Sequence, residues 1–100
     1  MSDLETRLAD LARRGQTIPY GRLARDLGWR MAELTAALES LMEEDVRAGQ
    51  PLRAALCDGR LSGGLPARGF FLKAAELGFD VADPAAFTAL QRRGLFTGPR

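Results

Sequence analysis

Cys57 is the only thiol in the chain, and there is no histidine. The catalytic chemistry open to this sequence is therefore narrow. A nucleophilic cysteine needs its pKa lowered by a neighbouring cation, a histidine or a helix N-terminus. Cys57 instead adjoins Asp58, whose charge disfavours the thiolate, and it reads as an inert, packed cysteine. Glu43, Glu44 and Asp45 are the carboxylates a hard cation would prefer. Consecutive residues on a helix diverge by about 100°, however, and cannot meet at one ion. They read as a solvated helix end. The run Asp58-Gly59-Arg60-Leu61-Ser62-Gly63-Gly64 is glycine-rich in the manner of a phosphate loop. It lacks the closing Lys-Ser/Thr pair and no helix follows at once, so a β-hairpin is the expected use of its glycines. No catalytic residue, cofactor or metal ligand is assigned, and no enzyme activity is expected.

Two aromatic features remain. Tyr20 and Trp29 flank a short helical stretch, where they could touch a ligand or a nucleic-acid backbone, with half-buried packing the plainer use. From Gly64 to Phe71 the chain places two aromatics side by side. Both cannot face inward from one helix unless packing exists on two sides, so Pro66, Arg68, Phe70 and Phe71 are the candidate lining of an interaction groove.

The elements that must hold these residues are marked by their spacing. Ser2 and Glu5 form a capping box, followed by Leu4, Leu8 and Leu11 on one face and Gly15 as the stop. Thr17, Ile18 and Pro19 predict a short extended link. A helix over 20–27 carries Leu23, Ala24 and Leu27 and ends at Gly28. A longer one over 30–47 places Met31, Leu34, Leu38, Leu41 and Met42 within a sector about 100° wide. Asp45 falls in that apolar sector, as though the helix frays there. Leu52–Cys57 alternates like a strand, and Asp58-Gly59 is a tight-hairpin signal with Arg60-Leu61-Ser62 returning as the second arm. Helices over 67–77 and from Asp83 to Gly94 follow, the latter with Pro84 in its first turn and with Phe87, Leu90 and Leu95.

The fold class expected is mainly α with a small β-hairpin (α+β): a winged helix-turn-helix with two additional C-terminal helices. The chain of 100 residues reads as a single domain over 1–100, with its core over 1–81 and a C-terminal helix and tail over 83–100. Hydrophobic residues make up 46% and charged residues 27%, an ordinary globular balance. No apolar stretch approaches the ~20 residues of a membrane span, and the acidic start at Asp3 and Glu5 is unlike a secretory leader. The lone cysteine suits a reducing, cytoplasmic setting.

From Ile18 onward the chain resembles the DNA-binding domain of methylated-DNA alkyltransferases and alkyltransferase-like proteins, over about residues 17–81. Pro19-Tyr20-Gly21-Arg22-Leu23-Ala24 is similar to that family's entry into its helix-turn-helix. Pro51 stands where the family has the proline of its Pro-Cys-His-Arg motif, and Asp58–Gly64 resembles the hairpin beyond it. The reactive cysteine would fall at Leu52, its histidine at Arg53, and the arginine that holds the base stack open near Leu34. Of the DNA-handling residues, Tyr20 alone has a match, so alkyl transfer is excluded. The strand Leu52-Arg53-Ala54-Ala55-Leu56 and the segment Gly64-Leu65-Pro66-Ala67-Arg68-Gly69-Phe70-Phe71 also resemble a set of small bacterial proteins of winged-helix type, a likeness that brings no activity with it.

Charge separates the two functions this fold could serve. Residues 1–30 carry net +2, residues 31–50 net −4 and residues 51–100 net +3. The recognition helix of a DNA-binding winged helix should be basic or neutral, since phosphate contacts supply most of the affinity. Here it holds Glu33, Glu43 and Glu44. Tyr20, Arg22, Arg25, Arg30 and the wing residue Arg60 are the candidate DNA contacts, enough for weak, salt-sensitive binding. The leading expectation is a non-catalytic module for protein interaction or self-association, using the acidic helix and the apolar tail from Asp83 to Phe96. Weak DNA binding is the alternative.

Overall fold

The computed structural model describes residues 2–97; Met1 and the last three residues of the expected tail, 98–100, lie outside the described residues. The first helix, α1 (Asp3–Arg14), starts as its capping box dictates: Glu5 N–H donates to Ser2 Oγ at 3.2 Å, and Ser2 N–H to Glu5 Oε1 at 3.3 Å. Gly15, at φ +66°, ends it in the left-handed conformation that glycine adopts without strain. A two-residue strand β1 (Ile18–Pro19) leads directly into α2 (Tyr20–Leu27), and the Gly28-Trp29 corner turns the chain into α3 (Met31–Ala48). Arg30 N–H donates to Glu33 Oε1 at 2.9 Å at the start of α3, satisfying one of its unpaired donors.

Beyond α3 the expected strand is absent. Arg53–Leu56 is a turn of 3₁₀ helix, and only Cys57–Asp58 is extended, as β2. The strand reading fails because burial here is not one-sided: Leu52, Ala54, Ala55, Leu56 and Cys57 are all buried. A half-buried strand would alternate, and alanine is a weak strand former. The hairpin is absent too. β2 pairs in parallel with β1, Ile18 opposite Cys57 and Pro19 opposite Asp58. The architecture is thus mostly helical with a small two-stranded parallel sheet. In place of the hairpin stands a loop closed at its base by Gly59 N–H to Leu65 O at 2.8 Å. Its left-handed residues are Leu61, Gly63 and Gly64, with Gly59 outside that region. Gly59 is required for room instead: an added Cβ would lie 2.5 Å from Ser62 Oγ and 3.2 Å from Ala67 Cα.

The fourth helix, α4 (Arg68–Glu76), and the fifth, α5 (Pro84–Phe96), complete the chain, with Asp83 Oδ1 capping α5 by accepting from Ala86 N–H at 3.1 Å. Gly94 lies inside α5 rather than ending it. Its missing Cβ lets the helix pass close to Pro51, which an added Cβ would meet at 2.8 Å. The tail expected to dock on a partner is docked on its own chain. Phe87 and Thr88 are buried, Gln91 Oε1 accepts from Leu52 N–H at 2.9 Å, and Arg92 Nε donates to Ala55 O at 2.7 Å. Phe70, Phe79 and Phe87 form an aromatic group at centroid spacings of 6.1 and 5.3 Å. Leu90 points away, 63% exposed. Among the described residues, no helix is long and apolar enough to cross a membrane.

Leu34, Leu38, Leu41 and Met42 are buried on the helix that packs against α2, α4 and the 3₁₀ turn, whereas Met31 is 48% exposed. The expected stripe therefore splits at its first member. Leu34→Ala should cost about 3 kcal/mol of unfolding free energy, within the range for a fully buried leucine. Met31→Ala should cost less than about 0.5 kcal/mol, as a surface change. Urea denaturation of both variants checks this, and equal losses would refute the split.

Candidate functional site

The parallel pairing of β1 with β2 decides what lies beside the start of α2. It brings the loop after β2 against Tyr20, whose Oη accepts from Ala67 N–H at 3.0 Å. That bond ties the far end of the loop to the first residue of α2. The space left between them is a groove of about 870 Å³, within the size range of ligand pockets. One wall is α3, through Met31, Thr35, Leu38 and Glu39; another is the loop, through Asp58–Leu61; Phe70 of α4 closes the end. The lining is mostly apolar. Among the described residues, two of the four large hydrophobic side chains most exposed to solvent, Met31 and Leu61, stand at this groove, and Leu61 is 98% exposed at φ +61°. A leucine in that backbone region is strained.

The residues singled out from sequence are distributed unevenly around it. Tyr20 lines the groove, yet its hydroxyl is engaged with Ala67, and burial pushes its pKa to about 12 against the lowering effect of that bond. Arg60 lines it, Arg30 directly precedes Met31, and Arg68 lies between Ala67 and Gly69; all three are exposed. Arg22 is turned toward α1, its Nε 3.9 Å from an Asp26 that also holds Arg7 at 3.1 Å. Arg25 is exposed one turn beyond Gly21. Of the expected groove residues, Phe70 belongs to the lining. Pro66 is buried and does not line it. Phe71 is half-buried outside the groove, edge-on to Phe70 at 5.1 Å.

Cys57 is fully buried, and burial first, then Asp58, pushes its thiol to about 12. The three consecutive carboxylates part company, as their helical spacing requires. Glu43 accepts from Lys73 Nζ at 2.7 Å, Glu44 is exposed, and Asp45 turns inward. Asp45 is 4% exposed and not frayed. It accepts from Arg53 N–H and from Arg53 Nε, both at 2.9 Å, while Arg53 Nη1 reaches Glu5 at 3.1 Å. Burial pushes the Asp45 carboxyl upward against the pull of Arg53. This triad joins α1, α3 and the 3₁₀ turn. The signal for it was present as an acid inside an apolar stripe with an arginine shortly beyond.

Comparison with family models, curated proteins and solved structures returns no match for this chain.

Proposed function

We propose that the protein is a non-catalytic binding module of helix-turn-helix type. In this reading α2 and α3 form the pair, the 59–67 loop stands where a wing would, and the groove receives an apolar side chain of a partner protein. The observation that carries it is the exposure of Met31 and Leu61 at the rim of one apolar groove, since such patches cost solubility unless something covers them. The buried, protonated Cys57 thiol supports a role without nucleophilic catalysis. Duplex DNA is a weaker fit: the exposed positions of α3 include Glu33 and Glu44, which would meet phosphates with like charge.

The test is a titration of the 15N-labelled protein with N-acetyl-phenylalaninamide, a neutral side-chain mimic. With about 15 non-hydrogen atoms at roughly 0.3 kcal/mol each, a Kd of about 1 mM is expected. Amide shifts should gather on Met31, Thr35, Gly59, Leu61 and Gly69, leaving Leu72 and Leu90 unmoved. No shift at ~10 mM ligand, or shifts centred elsewhere, would overturn this reading.

A further inference from the structure

We infer that the groove's partner is a second copy of this chain, docked so that the loop of each copy enters the groove of the other. This rests on the binding-module reading and adds the identity of the partner to it. The groove has two unlike walls, and each carries what the other lacks. The loop wall offers Leu61, 98% exposed, and the cation Arg60; the α3 wall offers Met31, 48% exposed, and the carboxylate Glu39. A two-fold axis along the groove sets the loop wall of one copy on the α3 wall of its partner, and the reverse, as a closed two-fold contact requires. Leu61 then enters the partner's groove beside Met31, and Arg60 reaches Glu39 further along the same helix. Both charges are unspent within one chain: neither Arg60 nor Glu39 makes an ion pair among the described residues.

The mixture of signs is what favours this occupant. Asp58 also lines the groove without an ion pair among the described residues, so cation and carboxylates share one face. A peptide of a single sign would leave the opposite sign covered and uncompensated, and a nucleic acid would set phosphates on Glu39 and Asp58. A second copy brings both signs in the same proportion, together with an apolar side chain to fill the slot. Leu61 and the groove belong to one face, so the contact closes at two copies. Leu72 and Leu90 are exposed away from the groove, and seating either of them there would join two different patches and leave an open chain of molecules.

Sedimentation equilibrium of the full chain at low salt, from about 20 μM to about 1 mM, reads the association. A monomer–dimer Kd on the order of 100 μM is expected, since an interface confined to the walls of one groove lies at the small end of the size range. Leu61→Asp should leave the chain monomeric at ~1 mM. That side chain is almost wholly exposed, so the variant should keep its thermal midpoint. Arg60→Glu and Glu39→Arg should each weaken dimerisation at least about tenfold. An equimolar mixture of these two variants should associate as the wild type does, because each then offers the charge its partner needs. Leu61→Asp carries the test if Glu39→Arg does not fold. N-acetyl-phenylalaninamide at ~10 mM should lower the dimer fraction, because it fills the space that Leu61 enters. The inference is overturned if the chain is monomeric at ~1 mM, if Leu61→Asp associates as the wild type does, if mixing the charge variants restores nothing, or if the assemblies grow past two copies. If the amide binds the groove while the chain stays monomeric, only this inference is lost; if the amide does not bind and the chain stays monomeric, both readings are.

Discussion

Between pH 9 and 12 the protein should lose stability steeply, and Cys57 should set where the loss begins. Its thiol is held at about 12 in the folded chain against an ordinary 9.0. Above pH 9 the unfolded chain therefore surrenders this proton while the folded chain keeps it. The native state then binds more protons, and stability falls by about 1.4 kcal/mol per pH unit per such group. Tyr20, raised from 10.0 to about 12, joins above pH 10. Lys73, which Glu43 holds protonated above its ordinary 10.5, acts in the same direction near the top of the range. Taken to pH 12, Cys57 accounts for about 4 kcal/mol and Tyr20 for about 3 kcal/mol, as orders of magnitude. Urea midpoints measured at half-unit steps check the slope. In Cys57→Ala the decline should start near pH 10 instead of 9. An unchanged onset in that variant would refute the assignment.

Asp45→Ala should be among the most damaging single substitutions in the chain, at about 3–5 kcal/mol, the range for removing one partner of a buried ion pair. The loss has two parts. Arg53 would keep only Glu5 for its guanidinium, and its backbone N–H would lose the acceptor that Asp45 supplies at 2.9 Å. Burial pushes the Asp45 carboxyl upward despite Arg53, so desolvation consumes much of what the pair gains. Replacing both partners with apolar residues, Asp45→Leu with Arg53→Met, should therefore recover much of the stability. Guanidinium titrations of the single and double variants measure this. A single-variant loss below about 1 kcal/mol would show that the triad does not hold the 3₁₀ turn to α3.

The helices were legible because each carries its own signals. The Ser2–Glu5 box, the Gly15 and Gly28 stops and the Leu34–Leu38–Leu41 spacing are local, and local chemistry is what a sequence displays. Residues 52–57 misled for the opposite reason. Their alternation suits a strand, but packing on both sides by α3 and α5 buries consecutive residues and winds them into a 3₁₀ turn. Met31 shares the angular sector of Leu34, yet no element covers the first turn of α3 there, which leaves it at the groove. Asp45 shows the converse: tertiary pairing can bury an acid that amphipathic logic sends to a frayed end. The groove itself was only partly visible. Phe70, Tyr20 and Arg60 were singled out separately, and only the parallel match of Ile18 with Cys57 places them around one space.

The loop beside that space is anchored at its two ends and nowhere between. Gly59 closes on Leu65, and Ala67 on Tyr20, while none of residues 60–64 is buried. If the groove binds as proposed, substitutions or insertions at the loop's tip should alter what it takes while leaving the helices' packing unchanged, so that selectivity and folding are set by separate residues.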